Sequence, residues 1–274
     1  MASGRAEIEF VDAGDCTRLA HLYQSDPLRI LFPNSGPGEP ETGTLVTTSG
    51  GLVGGDDLTI EIRCGAGAVG RIVGQAAEKI YRSTSEDVRI DMSLVAAPGS
   101  WLEWLPQETI IFDNARLRRR TVVEAAPGAR VLAGEIIVLG RTAMGESVTG
   151  GLVHEAWDVR RDNRLVWADA VHLDDDFSAT LAANAGLNGA HAFASIVYVS
   201  DDAASALPLA RELLPEGMDP AGLCVGATCV GDVLVVRWLD RDVRRLRNAY
   251  GKFWAEFRHH VADLPSAMPR LWAI

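Results

Sequence analysis

The residues that could do chemistry are few, and most are carboxylates. Glu103, Glu108 and Asp113 follow one another closely, and a pair of carboxyl groups is the working apparatus of glycoside hydrolysis, one as acid and one as base or nucleophile. Spacing in sequence does not set the carboxyl separation on which that chemistry depends. A second grouping is His172-Leu173-Asp174-Asp175-Asp176, where an imidazole and carboxylates could hold a divalent cation or simply form a solvated acidic loop. The six histidines otherwise show no ligand spacing. Glu135 is conspicuous because it interrupts the apolar run Val131–Gly140, ahead of Arg141. A carboxylate there must be ion-paired, internally solvated or placed at a bulge. Arg141 and Glu146 are the polar neighbours within reach, and the choice between a buried ion pair and the lining of an internal passage stays open.

Familiar nucleotide and hydrolase signatures are missing. Gly50-Gly51-Leu52-Val53-Gly54-Gly55-Asp56-Asp57 is glycine-rich, but it has no lysine and no following helix, so it reads as a turn between strands. Cys16, Cys64, Cys224 and Cys229 form no Cys-x-x-Cys and read as free thiols.

The elements that must position these groups are mostly strands. The chain has 274 residues, 47% hydrophobic and 23% charged, with a net charge of -11. This is the composition of a folded globular protein, and its negative charge disfavours a nucleic-acid binder. The start lacks the apolar core of a signal peptide, and no run reaches the ~18 apolar residues of a spanning helix. The expectation is a soluble cytoplasmic protein with no membrane partner. Leu58–Arg63 and Val88–Val95 alternate apolar and polar residues with the period of a half-buried strand. Leu223–Leu239 reads as a hairpin folded at Gly231-Asp232. Ala-Ala-Pro-Gly occurs at 96–99 and 125–128, each copy leading into a strand, and Gly65-Ala66-Gly67-Ala68-Val69 opens another strand in a similar way. A turn-then-strand unit recurring in this manner predicts stacked β-layers, a sandwich or a partial solenoid. Helices are expected only in the C-terminal third. One begins at the cap Asp242 and carries the stripe Val243, Leu246, Tyr250, Phe253, Trp254 and Phe257; a shorter one lies within Ser205–Leu214. The fold class is therefore mainly β, with stacked layers and about two late helices, in one domain spanning 1–274.

Six motifs in order then resemble one family: Leu22–Arg29, Thr48–Asp56, Gln75–Arg82, Leu102–Ile110, Gly140–Glu146 and the ending Pro269-Arg270-Leu271-Trp272. Together, from about Ala20 onward, they are similar to the UreD (UreH) urease accessory proteins. Gly74 departs from the pattern, because the family usually places Thr there.

The resemblance implies a mostly β, helically stacked fold with two helices and a role without catalysis. It implies a urease maturation factor that binds apo-urease, UreF and the GTPase UreG, with dimerisation through the accessory complex. Nickel is then cargo in transit, with no tightly bound cofactor. By residue-wise matching, a polar internal route runs near Asp56, Ser83, Glu135 and Arg141, with the carboxylates and hydroxyl as oxygen ligands and Arg141 as the partner of Glu135. Tyr250, Phe253, Trp254, Phe257 and Trp272 are the residues expected at the UreF contact, against the alternative that the stripe packs on the sheet. Two rival readings are a β-solenoid carbohydrate-active enzyme using Glu103, Glu108 or Asp113, and a generic β-sandwich binding module.

Overall fold

The structure is a computed structural model that describes residues 1–141, 145–215 and 222–272; Thr142, Ala143 and Met144 of the Gly140–Glu146 motif lie outside the described residues. The chain opens with two antiparallel pairs, β1 (Ser3–Asp12) with β2 (Thr17–Gln24), and β3 (Leu28–Leu31) with β4 (Glu41–Thr47). It then winds between two sheets. β5 (Asp57–Cys64), β8 (Val88–Ala96) and β11 (Arg116–Ala125) belong to the first sheet. β6 (Val69–Gly74), β7 (Glu78–Ile80), β9 (Trp101–Leu105), β10 (Thr109–Ile111) and β12 (Arg130–Leu139) belong to the second. The hairpin of β13 (Gly150–Arg161) and β14 (Arg164–Asp176) closes the first sheet. After the short α1 (Ser178–Ala182), β15 (Ala192–Val199), β16 (Cys224–Val230) and β17 (Val233–Asp240) extend the second, with α2 (Ala203–Glu212) between β15 and β16, and α3 (Val243–Ala262) follows.

The central strands are parallel, β1-β5-β8-β11-β13 in one sheet and β4-β6-β9-β12 in the other. Parallel neighbours require the chain to cross over between them. Here the crossover is a strand of the opposite sheet, which makes a flattened β-helix. The recurring Gly and Ala-Ala-Pro-Gly segments make the corners. Ala68, Ser100 and Ala129 each donate a backbone N–H to the residue three positions earlier, at 3.1, 3.1 and 3.0 Å. In each turn the third residue is a left-handed glycine, Gly67, Gly99 and Gly128, with φ of +70°, +71° and +74°. Pro98 and Pro127 precede two of them, which is the type II pattern of Pro at the second position and Gly at the third. The expected repeat is thus the coil of the solenoid.

Two apolar layers result. Ile8, Ile60, Leu94 and Val123 of the first sheet pack between the sheets against Ile72, Trp104, Val131 and Ile137 of the second. The other face of the second sheet, with Trp101, Leu132, Ile136 and Trp238, is covered by α2, α3 and the C-terminal tail. β12 lies between both layers, so it is buried on both faces and reads as an apolar run interrupted at Glu135. The hairpin turns at Gly231-Asp232 as expected, with Val230 opposite Val233. Asp242 caps α3 by accepting the Arg245 N–H at 3.0 Å. Beyond the two expected helices, α1 is a five-residue addition.

Candidate functional site: a polar seam beside the inter-sheet cavity

The second sheet is interrupted along one line. β6 and β7 are separated by Gln75–Ala77, and β9 and β10 by Pro106–Glu108. β12 runs on without a break, pairing with β9 up to Ala133 and with β10 from Ile137. Residues 134–136 therefore face the gap, and Glu135 sits at its centre. Pro106 cannot donate a ladder hydrogen bond, which suits a break at that point. A cavity of about 170 Å³ lies against this seam, bordered by Thr47, Gly74–Lys79, Trp104, Gln107, Thr109 and Arg119. Gly74 belongs to its wall. A Cβ there would stand 2.8 Å from the backbone nitrogen of Gln107, so a threonine would require the wall to move.

Strand phase decides which side chains enter. On β12, Val131, Ala133, Glu135, Ile137 and Leu139 point between the sheets. On β11, Arg119 lies in phase with buried Leu117 and Val123; on β13, Glu155 lies in phase with Val153 and Trp157. These inward positions converge. The Arg119 Nε donates to both Glu155 oxygens at 2.8 and 2.7 Å, Nη1 donates to Thr109 Oγ1 at 2.9 Å, and Nη2 reaches Glu135 Oε2 at 3.4 Å. Glu78 faces the same guanidinium from β7 and accepts the Thr47 hydroxyl at 2.5 Å. One arginine thus stands among three carboxylates.

Electrostatics follow from that imbalance. Burial pushes the Glu135 carboxyl well above the usual carboxylate range; Glu155 adds repulsion and Arg119 only partly offsets it. Burial also raises Glu78, opposed by the Thr47 hydrogen bond and by Arg119. Burial disfavours the Arg119 cation, but Glu155 and Glu135 outweigh it and hold the proton more firmly. Such a group of charges removed from water is costly unless its members neutralise one another. Tyr250 approaches from the far side of the sheet, where only a glycine at 134 leaves room for its hydroxyl. That hydroxyl is buried without a hydrogen-bond partner among the described residues, and its pKa is raised by burial and by Glu135 and Glu108.

The tail closes the outer side of the seam. Gln107 donates to the Leu271 carbonyl at 2.9 Å, while Arg247 donates to the Trp272 carbonyl at 2.8 Å and to Gln107 at 2.7 Å, and pairs with Glu108 at 2.5 Å. The Pro269–Trp272 motif therefore docks onto the Leu102–Ile110 motif.

The residues nominated by sequence are distributed unequally. Glu135 is in the seam, but its partner is Arg119. Arg141, the expected partner, pairs with Glu146 at 2.8 Å and lies over the Phe112 ring at 4.3 Å. The physical reason is distance along the chain: Arg141 lies past the end of β12, six residues or about 20 Å from Glu135 at strand rise, in a loop at the end of the solenoid. Asp56 is buried and accepts the Ala2 and Val53 backbone N–H groups at 2.6 and 2.9 Å, organising the loop before β5. Ser83 sits beside Gly54 and donates to the Glu86 carbonyl at 2.5 Å. These three belong to end loops, and among the described residues no hydrogen bond or ion pair joins them to Glu135. Tyr250, Phe253, Trp254, Phe257 and Trp272 are all buried. Trp272 stacks on Tyr250 at 5.5 Å, and Phe253 on Phe257 at 5.2 Å, so these faces pack inside the chain and offer no exposed contact here.

The carboxylates of the hydrolase reading are each committed separately. Glu103 faces α3, fully buried, where Arg258 Nε and Trp101 Nε1 donate to Oε1, both at 2.9 Å. Glu108 pairs with Arg247, and Asp113 accepts the Thr149 N–H and hydroxyl at 2.7 and 3.0 Å. Among the described residues no three His, Cys, Asp or Glu side chains converge to hold a metal ion, and no helix is long and apolar enough to cross a membrane.

Sequence reasoning missed Arg119, Glu155 and Glu78. The signal was present for the first two, because the period-two phase set by Leu117 and Val123, and by Val153 and Trp157, turns them inward.

Proteins similar in sequence show the family of the chain. A protein named urease accessory protein UreD from Magnetococcus marinus is 44% identical over 272 residues, 99% of this chain and 94% of its own length. One of the same name from Xanthobacter autotrophicus is 39% identical over 272 residues, covering 99% and 90%. Another from Azorhizobium caulinodans is 36% identical over 273 residues, covering 100% and 97%. The UreD urease accessory protein profile matches residues 2–273, and the chain belongs to that family.

Proposed function

We propose that this chain acts in urease maturation as a scaffold without catalysis of its own, binding apo-urease together with UreF and the GTPase UreG. Nickel in transit passes along the polar seam of the second sheet. The observation that carries this reading is the excess of carboxylates over cations at the seam: buried Glu135 and Glu155 and half-buried Glu78 around Arg119, of which Glu78 and Arg119 border the cavity. Hard oxygen donors bind a divalent ion less tightly than a cage of thiolates or imidazoles, and a path must release its ion as readily as it takes it. Asp56, Ser83 and Arg141, in the end loops, then act at or before an entrance, and Glu135 acts within. The α3 face and the tail contribute to UreF binding through their outer surfaces.

The test separates passage from stability. Glu135→Ala should leave assembly with UreF, UreG and apo-urease intact by size-exclusion chromatography and lower the nickel content per urease active site by metal analysis. Normal loading in Glu135→Ala sinks the passage. Reduced loading with a broken complex assigns Glu135 to the fold instead.

A further inference from the structure

His154 and His172 are eighteen residues apart in sequence and directly opposite each other in the antiparallel register of β13 and β14. Directly opposed side chains on one face of such a pair are the closest cross-strand neighbours. Their rings lie edge to face with centroids 5.3 Å apart, and the two Nδ1 atoms approach to 3.3 Å. His172 is exposed, and the pair lies on the outer face of the first sheet, away from the seam.

We propose that His154 and His172 form a solvent-facing site for a late first-row divalent metal ion, taken through the two Nδ1 atoms. With metal–nitrogen bonds of ~2.05 Å, nitrogens this far apart subtend about 105° at the ion, near the tetrahedral angle. The two Nδ1 atoms share a hydrogen bond in the free chain, so an ion displaces that proton and the exposed His172 ring turns to aim its lone pair at the metal. Neutral imidazole suits nickel, zinc and copper better than magnesium or calcium. The other nitrogen of His172, Nε2, lies 3.9 Å from Asp174 Oδ2, near this carboxylate but beyond hydrogen-bond distance. A hydrogen bond there would form only if the ring turned towards Asp174 on binding, and would then hold the tautomer that leaves Nδ1 to the metal. Asp174 occupies the same strand face as His172, two residues on. Water completes the coordination, because no third protein ligand converges there among the described residues.

This site stands independently of the seam, and its test reads metal on the intact chain without urease. Isothermal titration with nickel chloride, and separately zinc chloride, at neutral pH should give about one ion per chain at micromolar affinity. His154→Gln and His172→Gln should each weaken that binding roughly tenfold or more, and Asp174→Asn by a smaller factor. His21→Gln, at a histidine held by Glu7 on β2, should change nothing. X-ray absorption of the zinc-loaded chain should show two imidazoles in the first coordination sphere. Absence of binding in the unsubstituted chain, or equal binding in both pair variants, overturns the site. Circular dichroism confirms that these exposed substitutions leave the fold intact.

Discussion

Glu135 and Arg258 show two ways of keeping a buried charge. Arg258 is fully enclosed, with Glu103 at 2.9 Å, Glu39 at 3.0 Å and the Ala267 carbonyl at 3.1 Å, and Arg71 joins from the sheet by pairing with Glu39 at 2.6 Å. Two arginines balance two glutamates, so the set is neutral and ties α3 to the sheet. Arg258→Ala takes from Glu103 its nearer cation, leaving only Arg71 at 3.8 Å, and should cost about 3 kcal/mol, read as a fall in chemical-denaturation midpoint. A loss under 1 kcal/mol would contradict this account. Glu135 lacks such balance. The folded chain holds its proton more tightly than the unfolded chain, so folding takes up a proton between the ordinary glutamate pKa, about 4.3, and the raised one. Stability from this site therefore falls as pH rises through that window. Glu135→Gln keeps the shape and removes the charge, while Arg119 retains Glu155. Its melting temperature should exceed that of the unsubstituted chain at pH 8, with the difference shrinking towards pH 4.5. A gain that grows on acidification would reverse the sign and reject the assignment.

At the level of elements, the coil corners and the tail are the parts whose roles can be isolated. Gly99 has φ of +71° and room for a Cβ, whose nearest heavy atom would be the Gly67 backbone nitrogen at an ordinary contact distance of 3.9 Å. Gly99→Ala therefore tests backbone strain without a clash, and should cost about 1–2 kcal/mol by thermal unfolding. No change would mean that the corner does not require its left-handed residue. The tail is held by carbonyl contacts to Gln107 and Arg247 and by the Trp272 ring, stacked on Tyr250 and lying under the Arg247 guanidinium at 4.6 Å. Trp272→Ala should cost about 3 kcal/mol and expose the outer side of the seam to solvent. Faster hydrogen exchange at Gln107 and Glu108 in the variant would show the opening, and unchanged exchange would show that the tail does not cover the seam.

The whole molecule buries its aromatic stripe and leaves a different apolar surface exposed. β2 is solvated along most of its length, and Leu19, Leu22 and Tyr23 of that strand join Leu31 and Phe32 among the exposed large apolar residues. An open edge strand with apolar side chains invites self-association. Expressed alone, the chain should self-associate, and co-expression with UreF should raise the soluble monomeric fraction, measured by size exclusion with light scattering. A monomer at high concentration that UreF does not affect would refute this. Its nickel affinity should be micromolar or weaker, since among the described residues carboxylates and a pair of imidazoles make no closed cage. One nanomolar site by equilibrium dialysis would overturn that expectation.

Local chemistry made much of this protein legible in its residues. Period-two alternation marks β5 and β8, the Pro-Gly corners mark the coils, and Asp242 with its stripe marks α3, because each signal depends on neighbours along the chain. Glu135 was conspicuous for the same reason, as a carboxylate within an apolar run. What tertiary structure decided was pairing. Glu135 meets Arg119 rather than Arg141 because β11 and β12 lie in facing sheets, and no spacing along one strand encodes which residue of another will oppose it. His154 and His172 become neighbours only through the register of β13 and β14. The aromatic stripe could have faced a partner or the chain's own sheet. Amphipathicity requires only that an apolar face be covered, and the second sheet and tail cover it.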